Sequence, residues 1–474
     1  MSKNVRTLPL VLAVALFMEQ MDSTVIATSL PAIAADIGTS PVALKLALTA
    51  YLVSVAIFIP ISAWMADRHG ARKVFCAAIG VFVIGSIACA FAGSLGEFVA
   101  ARFLQGMGGA MMTPVARLLL VRATPRDRLV QAMAWLTVPA LVGPLVGPPV
   151  GGFITTFVSW HWIFLINVPI GIAGICAAWL LLPEIEHGAA PAIDLRGFAL
   201  SGLAAAGIVF GLSVVSLPAL PPAIGVATLA VGVASAWLYL RHARRAAQPI
   251  LDLSLFSNRV FRAAISGGSL FRIGAGATPF LLPLMFQLAF GLSPFQSGML
   301  TFAGAFGAIG MKFLASTALR RGGFRTVLIG AALGGAAFIG AAGWFTPETP
   351  AWMIIAVLVA GGFLRSLFFT SANALVFADL SDEKAGQATA IAAVTQQVSI
   401  ALGVALAGVI LEVVAFGSGE GLGLFAFSSA FVIIALVTAS AAIPFLALGP
   451  DAGSAVSGHR IGGDNAKSQV VPPR

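Results

Sequence analysis

The sequence predicts an all-α membrane protein that crosses the bilayer many times. Only 9% of its 474 residues are charged and 59% are hydrophobic, far from the roughly one-quarter charged composition of soluble domains. Apolar runs of about 20 residues, enough to span a bilayer as a helix, recur along the whole chain. Basic residues gather in alternate connections between those runs, which orders them relative to the membrane.

Fourteen segments are read in turn. The first, 8–34, follows the basic start Met1–Arg6 and resembles a signal peptide, but its apolar run continues through Asp22 to Ala34, so an uncleaved helix is expected. Segments 42–65 and 74–93 flank the basic loop ADRHGARKV. Segments 96–122 and 128–156 carry charges and glycine-proline clusters, and 161–182 opens on Trp160 and Trp162, expected as interface anchors. Segments 196–216 and 221–241 form a pair bracketed by the loop PEIEHGAAPAIDLR and the basic run from Arg241 to Arg262. The last six are 261–290, 295–318, 325–345, 350–376, 384–415 and 423–447. After Gly449 the chain turns polar, and a disordered tail is expected.

An even number of spans places both ends on one side. Lys45 is the one basic residue in an odd-to-even connection. Arg68, Arg72, Lys73, Arg128, Arg244, Arg320 and Arg325 lie in the even-to-odd connections, so both termini are expected in the cytoplasm. The net charge of +9 raises nucleic acid as a partner, but charge confined to short loops fits lipid head groups and topology instead. Cys76, Cys89 and Cys176 all lie in apolar segments, so no disulfide framework or metal knuckle is implied, and the five histidines show no ligand spacing. No cofactor is expected. No nucleotide-binding glycine loop is present either, so an enzyme is not expected.

The chain repeats itself weakly. ADRHGARKV and LRRGGFRTV share Arg68/Arg321, Gly70/Gly323, Arg72/Arg325 and Val74/Val327. Further on, Asp127-Arg128 meets Glu383-Lys384, Gln131-Ala132 meets Gln387-Ala388, and Gly147 and Gly152 meet Gly403 and Gly408. The order along two halves predicts six-helix bundles over 1–182 and 261–448, a helix pair inserted over 183–260, and a tail over 449–474. Parallel repeats of this kind characterise the major facilitator architecture, with a substrate cavity between the halves near the midplane.

Within the first helix, FMEQMDSTVIATSLP places Glu19 and Asp22 at membrane depth. A charged group there costs about 3 kcal/mol on insertion scales, so it rarely persists without a job. The three-residue spacing sets both carboxylates toward one helix face, expected to look into a common cavity. Such groups can take a proton on one side of a membrane and release it on the other. Arg102 is a buried cation in need of a partner, and these acids are the obvious candidates; it serves either proton coupling or a structural ion pair. Arg117 and Glu412 lie near helix ends, where snorkelling is expected. Arg272, Lys312 and Arg365 sit deeper in the second half, and each either lines the cavity or pairs structurally. Met18, Met107, Met111, Gln105 and Asn373 complete the candidate substrate wall, the methionines as an adaptable apolar surface.

Four motifs carry a family resemblance. MADRHGARK, 65–73, resembles the facilitator loop motif G-x-L-A-D-R-x-G-R-K, with Ala63 and Ala71 in place of a glycine and a basic residue. It implies a gate in which Asp67 pairs with arginines such as Arg68 and Arg72 while Gly70 makes the turn. ARFLQGMGGAMM, 101–112, is similar to R-x-x-Q-G-x-G-A. GPLVGPPVGG matches the antiporter motif G-x-x-x-G-P-x-x-G-G through Gly143, Gly147, Pro148, Gly151 and Gly152. Those glycines permit close helix approach and the proline bends the helix. SWHWIFLINVPIG resembles W-R-W-I-F-L-I-N-V-P-I-G with His161 for arginine, and MDSTVIATSLP resembles L-D-x-T-I-V-N-V-A-L-P. Together these resemble the fourteen-helix drug:proton antiporters of the major facilitator superfamily.

That resemblance implies a bacterial cytoplasmic-membrane protein, working as a monomer, that exports small amphipathic compounds against protons by alternating access. An exporter dedicated to a metabolite, peptide, siderophore or lipid shares the same fold, as does a proton-coupled nutrient importer. The helix-5 motif marks exporters in that family and favours the first two readings.

Overall fold

The computed structural model describes residues 4–125, 128–184, 193–215, 217, 220–312, 314–419, 421–449 and 451–457. Asp127 of the repeat and most of the expected disordered tail lie outside them. Among the described residues the chain is helical, with no strand.

Eleven helices are long and apolar enough to cross a membrane: α1 (Leu8–Asp36), α2 (Lys45–His69), α3 (Ala71–Ala90), α6 (Trp162–Leu181), α7 (Leu195–Val215), α8 (Pro222–Ala243), α9 (Arg259–Ala289), α11 (Thr317–Ala342), α12 (Ala351–Val376), α13 (Lys384–Ser418) and α14 (Leu424–Leu446). The other three expected segments are helical too, as α4 (Leu95–Ala123), α5 (Leu129–Phe157) and α10 (Pro294–Lys312). α4 is less apolar because Glu97, Arg102, Arg117 and Arg122 all lie on it.

Local chemistry fixes several boundaries. Ser94 caps α4 by accepting from the Glu97 N–H at 3.3 Å, while the Glu97 carboxylate accepts from the Gly93 N–H at 2.8 Å. Asn258 caps α9 through the N–H groups of Val260 and Phe261. α1 tightens into a 3-10 turn at Ile26–Ser29, just before Pro31, which has no N–H to donate. Gly70 (φ 88°) turns α2 into α3, and Gly323 (φ 67°) kinks the segment Ala315–Ala342 at the equivalent place in the second half. Both occupy backbone space that side-chain-bearing residues avoid, so this pair of the repeat has a shared structural reason.

The two halves are built alike. α1 packs on α5, and α9 packs on α13. A Cβ at Gly147 would collide with Thr24 of α1, and one at Gly403 would come within 3.0 Å of the Ala277 nitrogen of α9. The halves meet along two seams, α5 against α10 and α2 against α13, while α7 and α8 pair together and α7 lies against both α2 and α13. At the end opposite the termini one apolar core joins both halves, with Ile26, Leu30 and Leu44 beside Phe280, Phe286, Leu411 and Phe427. At the termini end each half has its own core, one around Leu12, Phe75 and Leu119, the other around Phe324, Leu328 and Phe445. Among the described residues no hydrogen bond or ion pair joins the two cores there. The molecule is therefore sealed at one end and divided at the other.

Candidate functional site

The division ends in a cavity of about 250 Å³ between the halves. Glu19, Ser23 and Thr24 of α1 and Leu48 and Tyr51 of α2 form one wall, and Phe280 of α9 with Gln396 and Gln397 of α13 forms the other. The Glu19 carboxylate accepts a hydrogen bond from the Thr113 hydroxyl of α4 at 2.7 Å. Tyr51 is 3% exposed, and its ring lies under the Arg102 guanidinium at 4.4 Å.

Asp22 does not share that outlook. It is 1% exposed and closed in by side chains of its own half. Arg102 Nη1 donates to Asp22 Oδ2 at 2.7 Å and to Gln105 Oε1 at 2.5 Å. The amides of Gln105 and Asn167 donate to Asp22 Oδ1 at 2.8 and 3.0 Å, and both also reach the Ser86 hydroxyl. The expected common cavity thus holds for Glu19 alone, while the expected ion pair of Arg102 with an acid of helix 1 is present with Asp22. A charge pair in such surroundings needs its remaining lone pairs satisfied to offset desolvation, and the two amides do this.

Other site expectations divide in the same way. Met18 is fully buried in the core of the first half, and Gln105 belongs to the Asp22 network, so neither lines the cavity. Met107 and Met111 are half-buried. Arg272 is 6% exposed and donates to the exposed Asn373 at 2.8 Å, a structural partner rather than an open cation. Arg365 lines a cavity of about 80 Å³ inside the second half, with Phe271, Thr278 and Phe338. Lys312 is exposed at the end of α10. Glu412 does not snorkel: it bonds Lys45 across the α2/α13 seam at 2.5 Å. Trp160 is no interface anchor either, being 5% exposed and stacked on His161 at 3.9 Å, whereas Trp162 is open at 53%.

The loop motif stays within its own half. Asp67 accepts from Arg122 of α4 at 2.7 Å, Arg72 bonds the Leu182 carbonyl and stacks over Trp179, and Arg68 is exposed. Among the described residues no hydrogen bond or ion pair of the motif reaches across to the second half in this conformation. The helix-5 glycines do two jobs. Gly143 lies 3.0 Å from the backbone of Phe17 and Met21 on α1, measured to an added Cβ; Gly147 and Gly151 continue that contact past Thr24 and Val25. Gly152 instead faces Pro294 and Phe295 of α10 at 2.5–2.9 Å, and Gly298 of α10 returns the contact at Pro148. Reading the residues alone missed Asn167, although it sits inside the SWHWIFLINVPIG segment, where a polar amide at membrane depth was the available signal. Thr113, Ser86 and the glutamines of α13 carried no pattern.

Comparison with known proteins agrees with this geometry. The Major Facilitator Superfamily profile matches residues 12–404 and again 264–468. The chain is 37% identical to the "Putative multidrug resistance protein MdtD" of Cronobacter sakazakii over 94% of both chains. It is 39% identical to the "Probable transport protein HsrA" of Haemophilus influenzae over 87% of this chain and 89% of that one. A crystal structure of an auto-inhibited POT family peptide transporter superposes with a TM-score of 0.67 at 17% identity, covering 98% of this chain and 99% of that one. A D-xylose-proton symporter follows at 0.63 and 16%, covering 91% and 96%. Two pseudo-equivalent helix bundles around a central cavity, matched in sequence along nearly the whole chain, make this protein a member of the Major Facilitator Superfamily, a multi-pass membrane transporter and not an enzyme.

Proposed function

We propose that the protein is a proton-coupled exporter of small amphipathic compounds, working by alternating access in a bacterial cytoplasmic membrane with both termini in the cytoplasm. The observation that carries this reading is Glu19, an acid at membrane depth that faces the cavity between the halves next to the buried Asp22–Arg102 pair, whose arginine also borders the cavity. An ionisable group in that position can exchange a proton with whichever side the cavity opens to. The name of the MdtD relatives supports drug-like cargo.

On this orientation the divided end faces the cytoplasm and the conformation is open inward. Cargo entering from the cytoplasm meets Glu19 and an apolar wall of Phe280, Leu48 and Tyr51. Cargo and proton bias the two conformations only through their different affinities for each. The paired bundles, the inserted α7/α8 and fourteen spans are parts of the same proposal. The test is efflux of a fluorescent amphipathic cation from proteoliposomes across an imposed pH gradient. Efflux that collapses with the gradient supports the reading; efflux indifferent to it overturns proton coupling.

A further inference from the structure

We propose that Lys45 and Glu412 are the gate residues that hold the sealed end shut, and that the pair must part each time that end opens. This rests on the alternating-access reading but not on cargo identity or on protons.

Lys45 is the first residue of α2 and belongs to the first half; Glu412 lies on α13 in the second. Lys45 Nζ stands 2.5 Å from Glu412 Oε2, with the side chains 0% and 11% exposed. Among the described residues it is the one ion pair that joins the halves. Gly408, one turn before Glu412, makes the room: a Cβ there would overlap the Lys45 stem and come within 3.2 Å of Nζ. Gly408 is the repeat counterpart of Gly152, which at the other seam meets Pro294 and Phe295. One seam therefore closes backbone against backbone, and the other closes on a charge.

The inserted helices cover the charged seam. Leu217, between α7 and α8, packs with Ala43 and Leu46, the neighbours of Lys45, and lower down Val209 of α7 packs with Val53 and Ala401. Water and head groups are thereby kept from the pair, so its attraction acts in a poorly screened setting. The same burial keeps it from being a permanent staple. Desolvation offsets much of the Coulomb gain, and Glu412 Oε1 is buried without a partner. A closed contact of this kind is reversible as a pair, while either charge left alone in the seal is strongly disfavoured.

The experiment reads the seal directly. In full-length protein with its three native cysteines replaced by alanine, a reporter is placed by Ala407→Cys, one turn beyond cavity-lining Val404 and fully buried in the joint core. The rate of labelling by a hydrophilic maleimide is measured on purified protein. Lys45→Met and Glu412→Gln should each speed labelling roughly tenfold, since each breaks the pair across the seam while keeping one charge in the seal. The double variant should label more slowly than either single one, because neither charge remains there. Gly408→Ala, which keeps both charges but displaces the lysine stem, should also speed labelling and serves where a single variant does not purify monodisperse. Labelling unmoved by the single variants and by Gly408→Ala, or a double variant faster than both singles, overturns the proposal. No cargo or gradient enters the assay, so a failure of the export reading would leave its outcome untouched.

Discussion

Asp22 lies 2.7 Å from Arg102 and is closed off by Gln105 and Asn167, while Glu19, three residues earlier on the same helix, faces the cavity. The two acids differ in their surroundings. One is held by fixed partners within a single half, and the other borders the cavity with its carboxylate bonded to Thr113.

Asp22→Asn removes the counter-charge of a fully buried guanidinium. Breaking a buried pair costs about 3–5 kcal/mol, so the purified variant should melt well below the parent protein and lose gradient-driven efflux. Asp22→Asn combined with Arg102→Gln should recover most of the melting temperature but not the efflux. Recovery of both would mark the pair as structural only.

Glu19→Gln keeps the shape of the side chain and its place beside Thr113. The variant is expected to insert and melt like the parent, because the group already borders a cavity. Efflux measured at a series of external pH values should become flat. A pH profile unchanged from the parent would remove Glu19 from proton handling.

Gly147→Ala puts a methyl group against Thr24 of α1. Overpacking at such a contact costs about 1–3 kcal/mol. Adding Thr24→Ser, which removes only the methyl and keeps the crowding hydroxyl, should restore little, whereas Thr24→Gly should restore most of the loss. Thermal unfolding of the three proteins checks the order.

Asp194, in the connection before α7, accepts from the Gly197 N–H at 2.8 Å, from His242 at 2.7 Å and from the Ile250 N–H at 3.3 Å. Burial by itself would raise its pKa, but these donors outweigh it and hold the carboxyl below the usual range. A depressed carboxylate stabilises the fold above its unfolded pKa and loses that contribution as pH falls through the folded value. Asp194→Asn should therefore lower the melting temperature at neutral pH, with the difference shrinking below about pH 4. A difference that grows in acid would refute this account.

How much was legible in the sequence varies with the kind of contact. Gly70/Gly323, Gly147/Gly403 and Gly152/Gly408 could be found because each half reuses the same backbone geometry, so the repeat survives where a Cβ does not fit. The partnership of Arg102 with helix 1 followed from the cost of an unpaired cation at membrane depth. Which acid it takes did not follow. Residues three apart are about 60° apart around a helix, enough for one to face neighbouring helices and the other a cavity. Lys45–Glu412 was beyond reach, since 367 residues separate the partners and each sits near a helix end where snorkelling is the ordinary reading. Trp160 misled for a similar reason: composition marks interface tryptophans but not the one that turns inward onto Phe98 and Phe164.

The lone cover formed by α7 and α8 makes the two flanks of the molecule unequal toward the lipid. Among the described residues α7 roofs the α2/α13 join, and no inserted helix packs over the α5/α10 join. At that join the outward surface of the sealed end is aromatic, with Phe153 and Phe157 exposed and packed edge to face on Phe295 at 6.2 and 5.8 Å.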